Sequence, residues 1–181
     1  MLEGRYAGLI SPVLTHLSIS NLTLVSRLEL EFETGMSAIT GETGAGKSIL
    51  LGALGLALGN RVDNTLITPG TDRAEVSASF NISEHTEALE WLGSKAVETD
   101  KHCLLRRVIT RGGPSRAFVN GSSVTLAELR ELSEMLLDIH SQHEHQSLLK
   151  KENHRRLLDA YGDLTENVNE LETHYIAMKE L

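Results

Sequence analysis

The chain has 181 residues, enough for one hydrophobic core with a small appendage. Its net charge of −8 at pH 7 argues against a surface coated with Lys and Arg for general nucleic-acid binding. The single cysteine, Cys103, excludes an internal disulfide and favours a reducing compartment. The N-terminus lacks the apolar core of a signal peptide, and the most apolar stretch, Ile49–Gly59, is too short to cross a bilayer. These features predict a cytoplasmic protein without membrane association.

Short strands are predicted at the start of the chain. Leu14–Ser20 has strand character and Asn21–Thr23 that of a turn. Apolar and charged residues then alternate over Ser26–Phe32, which predicts a half-exposed strand antiparallel to the first. Gly35–Thr40 is predicted to form a short apolar strand that runs into a glycine-rich turn. The helix formers of Ser48–Gly59 follow and end at a glycine, a typical C-terminal stop.

A second group of elements follows the first helix. Alternation of Val76, Ala78, Phe80 and Ile82 predicts another strand. The other predicted elements, in chain order, are an acidic helix (Ser83–Leu92), a strand (Cys103–Ile109), a hairpin turn at Asn120-Gly121 and a helix that begins with a Thr125/Glu128 capping box and carries Leu126, Leu129, Leu132 and Leu136. The mixture predicts an α/β domain.

The last part of the chain carries a heptad pattern. Its apolar residues alternate at intervals of four and three over about three heptads, and they are Leu157, Tyr161, Leu164, Val168, Leu171, Tyr175 and Met178. One interpretation is an amphipathic helix packed on its own domain; the favoured one is the start of a coiled coil. The predicted domains are thus an extension (1–13), a head lobe (14–149) and a coiled-coil segment (150–181).

The motif GETGAGKS matches the phosphate-binding P-loop pattern G-x-x-x-x-G-K-[ST] at every fixed position. Its glycines allow successive backbone N–H groups to turn onto phosphate oxygens, and the N-terminus of the next helix adds positive potential. The pattern predicts that Lys47 reaches the β- and γ-phosphates and that Ser48 holds Mg²⁺. The predicted nucleotide-binding residues are Gly41, Glu42, Thr43, Gly44, Ala45, Gly46, Lys47 and Ser48.

Several classes of protein carry a P-loop, so the surrounding elements decide between them. Alternating strands before and after the P-loop helix are typical of an ABC-type ATPase head, and the heptads favour heads whose lobes are joined by a coiled coil. A small-molecule kinase is an alternative, although Glu42 has no obvious catalytic partner. A non-catalytic dimerisation module is another, although the intact Lys47-Ser48 pair argues against a vestigial P-loop.

The segment DIHSQHEHQ, Asp138–Gln146, concentrates three of the eight histidines of the chain. A zinc site is disfavoured because neither cysteine nor an HExxH spacing accompanies them. The segment follows a predicted helix that ends at Ile139, and it has the position of the Q-loop in an ABC-type head. Gln142 is then the residue of interest, and His140, His143 and His145 are expected to shape the loop.

Two longer segments resemble the RecN family of bacterial SMC-like DNA-repair ATPases. They are LTHLSISNLTLVSRLELEFETGMSAITGETGAGKSILLGALGLALGNR and SRAFVNGSSVTLAELRELSEMLLDIHSQHEHQSLL, and the resemblance covers about Leu14 to Leu158. Family members usually carry glycine where this chain has Ser141, which affects the expected flexibility of the loop but leaves the neighbouring glutamine in place.

The resemblance implies the N-terminal lobe of an ABC/SMC-type P-loop ATPase head, with a mixed sheet, an antiparallel subdomain and the start of an antiparallel coiled coil. It implies ATP and Mg²⁺ as cofactors, with Lys47 and Gln142 as catalytic residues and Ser48 and Gln142 as metal ligands. In the family, the C-terminal lobe of the same protein supplies the signature motif and Walker B carboxylates, and neither occurs here. Hydrolysis by this chain alone is therefore not expected.

The family resemblance also implies partners and a location. Two heads are expected to form a homodimer that sandwiches ATP and controls the engagement of DNA during double-strand break repair and recombination, in the bacterial cytoplasm at the nucleoid. Two basic clusters, Lys101–Arg116 and Lys150–Arg156, are candidates for DNA or nucleotide contacts; the alternatives are a solvated edge strand and a soluble helix surface. Asn21 is a candidate nucleotide neighbour or, alternatively, a turn residue.

Overall fold

The computed structural model describes residues 13–40, 46–137, 154–155, 158–159, 161–162 and 164–179. They belong to two compact units, one within Ile10–Leu137 and one within Asp138–Leu181. All of the strands and the first three helices lie in the first unit, and the fourth helix lies in the second. None of the helices in these ranges has the length and apolarity that crossing a membrane requires. The predicted boundaries at residues 13 and 149 stay a prediction.

A six-stranded sheet forms the first unit, with the strand order β2-β1-β3-β4-β5-β6. Its strands are β1 (Val13–Leu22), β2 (Val25–Glu31), β3 (Arg73–Asn81), β4 (His102–Thr110), β5 (Arg116–Val119) and β6 (Ser122–Val124). All five pairings between these strands are antiparallel. The strands predicted around Leu14, Ser26, Val76 and Cys103 are confirmed. The parallel component of the expected mixed sheet does not occur within the described residues.

One face of the sheet is buried and forms the core. Ile19 of β1 is paired with Val76 of β3, and Val76 is paired on its other side with Arg107 of β4. The period of two places every second residue on this face, and its apolar members are Leu17, Ile19, Ala74, Val76, Ala78, Phe80, Cys103, Leu105, Ile109, Ala117 and Val119. The alternation predicted for β3 is therefore confirmed.

Helices cover this face. The first unit contains α1 (Lys47–Ala57), α2 (Thr86–Ser94) and α3 (Leu126–Leu136). Helix α1 contacts β1, β3 and β4, and α3 contacts β5. Helix α2 begins three residues later than the sequence predicts because His85 caps it: the His85 Nδ1 atom accepts a hydrogen bond from the Ala88 N–H at 3.1 Å. Burial of the apolar sides of these helices supplies most of their stability.

Local turn chemistry follows the predictions closely. Asn120 and Gly121 have φ angles of 45° and 83°, which are the left-handed values of a two-residue β-hairpin turn. Thr125 and Glu128 form the complete capping box at the start of α3. The first hairpin differs: β1 continues through Asn21 to Leu22, so the turn lies at Thr23-Leu24 rather than at Asn21–Thr23.

The strand predicted for Gly35–Thr40 is wrong. This segment has no regular secondary structure, and it is exposed throughout, with Met36 fully exposed and Ile39 half exposed. An extended segment becomes a strand only when a neighbour accepts and donates its ladder hydrogen bonds. Both sides of β1 are occupied by β2 and β3, and neither of the outer strands, β2 and β6, pairs with this segment among the described residues.

The interpretation of Lys101–Arg116 as a solvated edge strand is also wrong. This segment contains β4, which lies inside the sheet between β3 and β5. The edge positions belong to β2 and β6. The charges of this segment do not reveal its place in the sheet, because the pairing order of the strands depends on residues far apart in the sequence.

The second unit contains the helix α4 (Thr165–Lys179). Residues 154–155, 158–159 and 161 are also helical. The predicted heptad residues on this segment are exposed: Leu171 by 69%, Tyr175 by 52% and Met178 by 63%. Both interpretations of the heptad pattern, a helix packed on its own domain and a coiled coil, stay predictions. Leu157 lies outside the described residues.

Candidate nucleotide-binding site

The end of the P-loop motif lies at the N-terminus of α1. Gly46 is the N-cap of the helix, and Lys47 and Ser48 form its first turn. The N-cap glycine has no side chain with which to cap this end, and the first turn of the helix holds no acidic residue. The first N–H groups of a helix have no partner within the helix, and the helix dipole makes this end positive. The end of α1 therefore offers backbone donors and a positive potential to an anion.

The opposite end of α1 is fixed by a turn around Gly59. The Gly59 N–H donates to the Leu56 carbonyl at 3.2 Å, and the Asn60 N–H donates to the Gly55 carbonyl at 2.9 Å. These are the two bonds of a Schellman motif, with Gly59 at a φ of 99°. A Cβ atom on Gly55 would approach the Asn60 Nδ2 atom to 2.6 Å, so an alanine there would displace the Asn60 side chain.

Arg130 of α3 joins this turn to the rest of the unit. Its Nε atom donates to the Gly59 carbonyl oxygen at 2.7 Å. The buried residues Ala53, Leu56 and Ala57 of α1 add apolar contacts with the sheet. The helix is thus held at its C-terminal end and along one side, which fixes where its N-terminal end lies.

The structure describes only part of the predicted site. Gly46, Lys47 and Ser48 lie together at the start of α1; Ser48 is exposed, and Lys47 is half-buried. Gly41, Glu42, Thr43, Gly44 and Ala45 lie outside the described residues. Gln142 and the histidines 140, 143 and 145 also lie outside them, and α3 ends at Leu136 rather than at Ile139. The structure therefore does not test whether Gln142 approaches the P-loop.

Two residues of the Lys101–Arg116 segment, Arg106 of β4 and Arg111 directly after it, make contacts within the unit. Arg106 forms a two-bond ion pair with Glu75, with Nε–Oε1 and Nη2–Oε2 distances of 2.7 and 2.9 Å. This pairing raises the pKa of Arg106 and lowers that of Glu75. The Arg106 guanidinium also lies 5.3 Å from the Phe118 ring centroid. Arg111 donates to three backbone carbonyls, at Ile67, Thr68 and Thr71.

The described contacts of the second basic cluster and of Asn21 are contacts within the chain. Arg155 lies 3.8 Å from Asp159, and the rest of its cluster lies outside the described residues. Asn21 has a φ of 54°, and its carbonyl accepts a hydrogen bond from the Thr68 N–H at 3.0 Å. This contact ties the segment that returns from α1 to the end of β1. Asn21 thus has a structural role in the backbone.

Sequence reasoning missed two arginines. Arg107 is only 2% exposed and lies on the buried face of the sheet. The alternation of Cys103, Leu105 and Ile109 carried this signal, because a residue between Leu105 and Ile109 at period two belongs to the same face. Arg130 had no comparable local signal, since its acceptor at Gly59 lies far away in the sequence.

A family model described as AAA domain matches residues 16–173. Among curated proteins, the chain is 47% identical over 150 residues to DNA repair protein RecN of Vibrio cholerae, a match that covers 83% of this chain and 27% of that protein. It is 38% identical over 172 residues to DNA repair protein RecN of Haemophilus influenzae, covering 93% and 31% respectively. The chain thus spans about 30% of the length of these relatives.

Solved structures show the same fold. The Smc head domain with a coiled coil and joint from Pyrococcus yayanosii superposes with a TM-score of 0.65 at 20% identity and covers 93% of this chain and 36% of that one. A structure from a study of ATP-driven dimerization and DNA stimulated activation of SMC ATPases gives a TM-score of 0.59 at 22% identity and covers 83% and 99%. The predicted fold class, the α/β lobe of an SMC-type head, is confirmed.

Proposed function

Because the chain belongs to the AAA-domain family, we propose that it forms the ATP-binding half of an SMC-like ATPase head acting in DNA double-strand break repair and recombination. The proposal follows the likeness to DNA repair proteins RecN. We place this activity in the bacterial cytoplasm at the nucleoid. The whole protein is then an ATPase, of which this chain provides the phosphate-binding part.

One observation carries the nucleotide-binding proposal: the Gly46-Lys47-Ser48 end of the P-loop motif begins a helix that has glycine as its N-cap and no acidic residue in its first turn. Residues present at this end fit a Mg²⁺–nucleotide. Backbone N–H groups suit phosphate oxygens, and a hydroxyl is an oxygen ligand of the kind that Mg²⁺ accepts. A carboxylate in this turn would repel the phosphates, and the first turn of α1 contains none.

The residue roles follow the P-loop chemistry. We propose that residues 41–46 cradle the phosphates with their backbone, that Lys47 neutralises charge on the β- and γ-phosphates, and that Ser48 holds Mg²⁺. Gln142 is proposed to complete the Mg²⁺ shell or to orient the attacking water. Bound Mg²⁺ supplies charge neutralisation during phosphoryl transfer.

Hydrolysis and dimerisation are proposed to need residues beyond these 181. Phosphoryl transfer requires charge stabilisation on every side of the transferred group. We expect the C-terminal lobe of the same protein to supply Walker B carboxylates and a signature motif, and a second copy of the head to sandwich ATP in a homodimer. Binding and release of the heads would then control the engagement of DNA.

The two alternatives have less support. A small-molecule kinase would need a catalytic carboxylate near the P-loop, and the fold matches SMC heads rather than indicating a separate substrate domain. A non-catalytic dimerisation module would not require the Lys47-Ser48 pair that begins α1. The ATP-binding head is therefore the function that we propose.

Titration with a fluorescent ATP analogue, with and without Mg²⁺, tests the proposal directly. We expect saturable binding that Mg²⁺ strengthens. Lys47→Ala should weaken it by about tenfold or more, because a hydrogen bond from a charged donor contributes about 1.5–3 kcal/mol. Ser48→Ala should reduce mainly the Mg²⁺ dependence.

Lys179→Ala is the matched control, since it removes the same charge from the exposed last turn of α4. Binding that is equal in the Lys47→Ala and Lys179→Ala variants would refute the assignment of the site. Gln142→Ala is expected to preserve nucleotide binding but to weaken its Mg²⁺ dependence. ATP turnover by these 181 residues alone, abolished by Lys47→Ala, would contradict the proposed need for a second lobe.

A further inference from the structure

Arg107 is a buried cation with unmet hydrogen-bonding capacity. Its side chain is 2% exposed and lies on the core face of β4, between Val76 and Ala117 in the sheet register. Its Nη2 atom donates to the Ser115 hydroxyl at 2.7 Å. Its Nε and Nη1 atoms are buried and have no hydrogen-bond partner among the described residues. A guanidinium has five N–H donors, so three of them, on two nitrogens, lack an acceptor.

The electrostatic surroundings of Arg107 are also unfavourable to its charge. Desolvation lowers its pKa, and repulsion from Arg130 lowers it further; within the part of the chain that the structure describes, no carboxylate acts in the opposite direction. A buried charge without a counter-ion is strongly destabilising, and most buried arginines have an acidic partner for this reason. Glu75, the acidic residue nearest in the register, is already paired with Arg106. The described residues around Arg107 therefore supply no counter-ion for its charge.

A cavity of about 300 Å³ adjoins this side chain. Arg107 and Ser115 line it from β4 and from the loop before β5. Thr125 and Leu126 line it from the start of α3, and Ser123 lines it from β6. None of its described lining residues is acidic. The Ser115 hydroxyl accepts from Arg107 and still has its own hydrogen to donate. The walls thus present donors to a cavity that has room for a small group.

We propose that this cavity binds one phosphate group, held by Arg107 and Ser115, at a site separate from the P-loop. A phosphate group suits the cavity because its several oxygens accept hydrogen bonds from several donors, and two arginines, Arg107 and Arg116, line the cavity together with Ser115. Two sources have this chemistry: a free phosphate and the backbone phosphate of DNA. The proposal does not depend on nucleotide binding at α1.

Inorganic phosphate is the first probe, and the whole chain carrying Lys47→Ala is the background, so that the P-loop contributes little. Phosphate binding is followed by ³¹P line broadening and by the midpoint of thermal unfolding at constant ionic strength. We expect saturable binding that Arg107→Met weakens by about tenfold to a hundredfold, the range expected for a charged hydrogen bond. Arg27→Met is the matched control, because Arg27 is an exposed arginine whose ion pair with Glu29 lies on the surface.

Arg107→Met is expected to fold, because replacing an unpaired buried charge by an apolar side chain of similar length is often neutral or stabilising. Without phosphate, its unfolding midpoint should equal or exceed that of the parent. Ser115→Ala provides a second variant on a half-buried loop residue, and it should weaken phosphate binding while leaving the fold intact. Equal phosphate affinity in the parent, Arg107→Met and Ser115→Ala proteins would overturn the proposal.

A second arm identifies the source of the phosphate. Fluorescence anisotropy measures binding of a short duplex DNA to the same variants at fixed salt concentration. If Arg107→Met weakens the binding of DNA and of inorganic phosphate alike, the bound group is a DNA phosphate. If it weakens the binding of inorganic phosphate alone, the ligand is a free phosphate. Failure of inorganic phosphate to bind saturably to the parent would overturn the site, whereas loss of ATP-analogue binding by Lys47→Ala tests only the P-loop proposal.

Discussion

Gly59 determines how helix α1 ends, and we expect Gly59→Ala to lower the free energy of unfolding by about 2–3 kcal/mol. A left-handed backbone costs an alanine about 1–2 kcal/mol relative to glycine, and Gly59 has a φ of 99°. The new Cβ atom would also lie 2.8 Å from the Arg130 Cγ atom. Relief of this contact displaces Arg130 and breaks its 2.7 Å hydrogen bond to the Gly59 carbonyl. We assign about 1 kcal/mol to this bond because Arg130 is exposed.

Gly52→Ala in the same helix is the control. Gly52 is exposed, and a Cβ atom placed on it would meet no other atom within 4 Å. Alanine there should stabilise the protein by about 0.5–1 kcal/mol, because glycine is the poorer helix former. Urea unfolding gives both free energies. The single tryptophan, Trp91, lies buried in α2 and reports unfolding of the same unit.

Repeating Gly59→Ala in an Arg130→Ala background separates the two contributions. The contact with Arg130 is then removed, and only the backbone cost of about 1–2 kcal/mol should remain. If Gly59→Ala costs no more than Gly52→Ala, the left-handed turn is not what ends the helix. If the full loss persists without Arg130, the contribution assigned to that side chain is wrong.

Two further outcomes are expected. The pKa of Glu128 is lowered from 4.5 to about 2 by hydrogen bonds from the Thr125 N–H, from Lys95 and from the Thr125 hydroxyl. Because the pKa is lower in the folded protein, the stabilisation from these contacts is complete above about pH 4.5 and is lost as the pH falls toward 2. Urea unfolding between about pH 6 and pH 3 should therefore show a weaker pH dependence for Glu128→Gln than for the parent, and an unchanged slope would contradict the capping role. Burial raises the pKa of the Cys103 thiol to about 12. The thiol should therefore not react with a thiol reagent at about pH 8 until urea unfolds the protein. Rapid reaction of the folded protein would contradict this prediction and show that β4 is accessible.

Features encoded by neighbouring residues were predictable from the sequence. The Asn120-Gly121 turn, the Thr125 cap and the Gly59 stop each depend on the backbone preferences of a few adjacent residues. The alternation in β3 was equally clear, because one face is buried and the other is not. In the candidate site, the P-loop pattern correctly placed Lys47 and Ser48 at the start of a helix.

Features that depend on distant residues were not predictable. Gly35–Thr40 has the composition of a strand, but whether it pairs depends on which strands lie beside β1. The position of β4 inside the sheet likewise depends on β5, which returns beside it through a hairpin loop. Whether the Nε and Nη1 atoms of Arg107 find acceptors depends on the assembled core, and among the described residues they find none. No local sequence pattern indicates this.

The order of the strands has a consequence for how the protein folds. Strands β3 to β6 pair with their neighbours in the sequence, and β1 pairs with β2 in the same way. By contrast, β1 meets β3 only after the chain has passed through the P-loop and α1, between Leu22 and Arg73. Closing this long connection carries a loop-entropy cost that the hairpins do not have. The two groups of strands are therefore expected to form first, and the closure that joins them also brings α1, with the end of the P-loop motif, to the sheet.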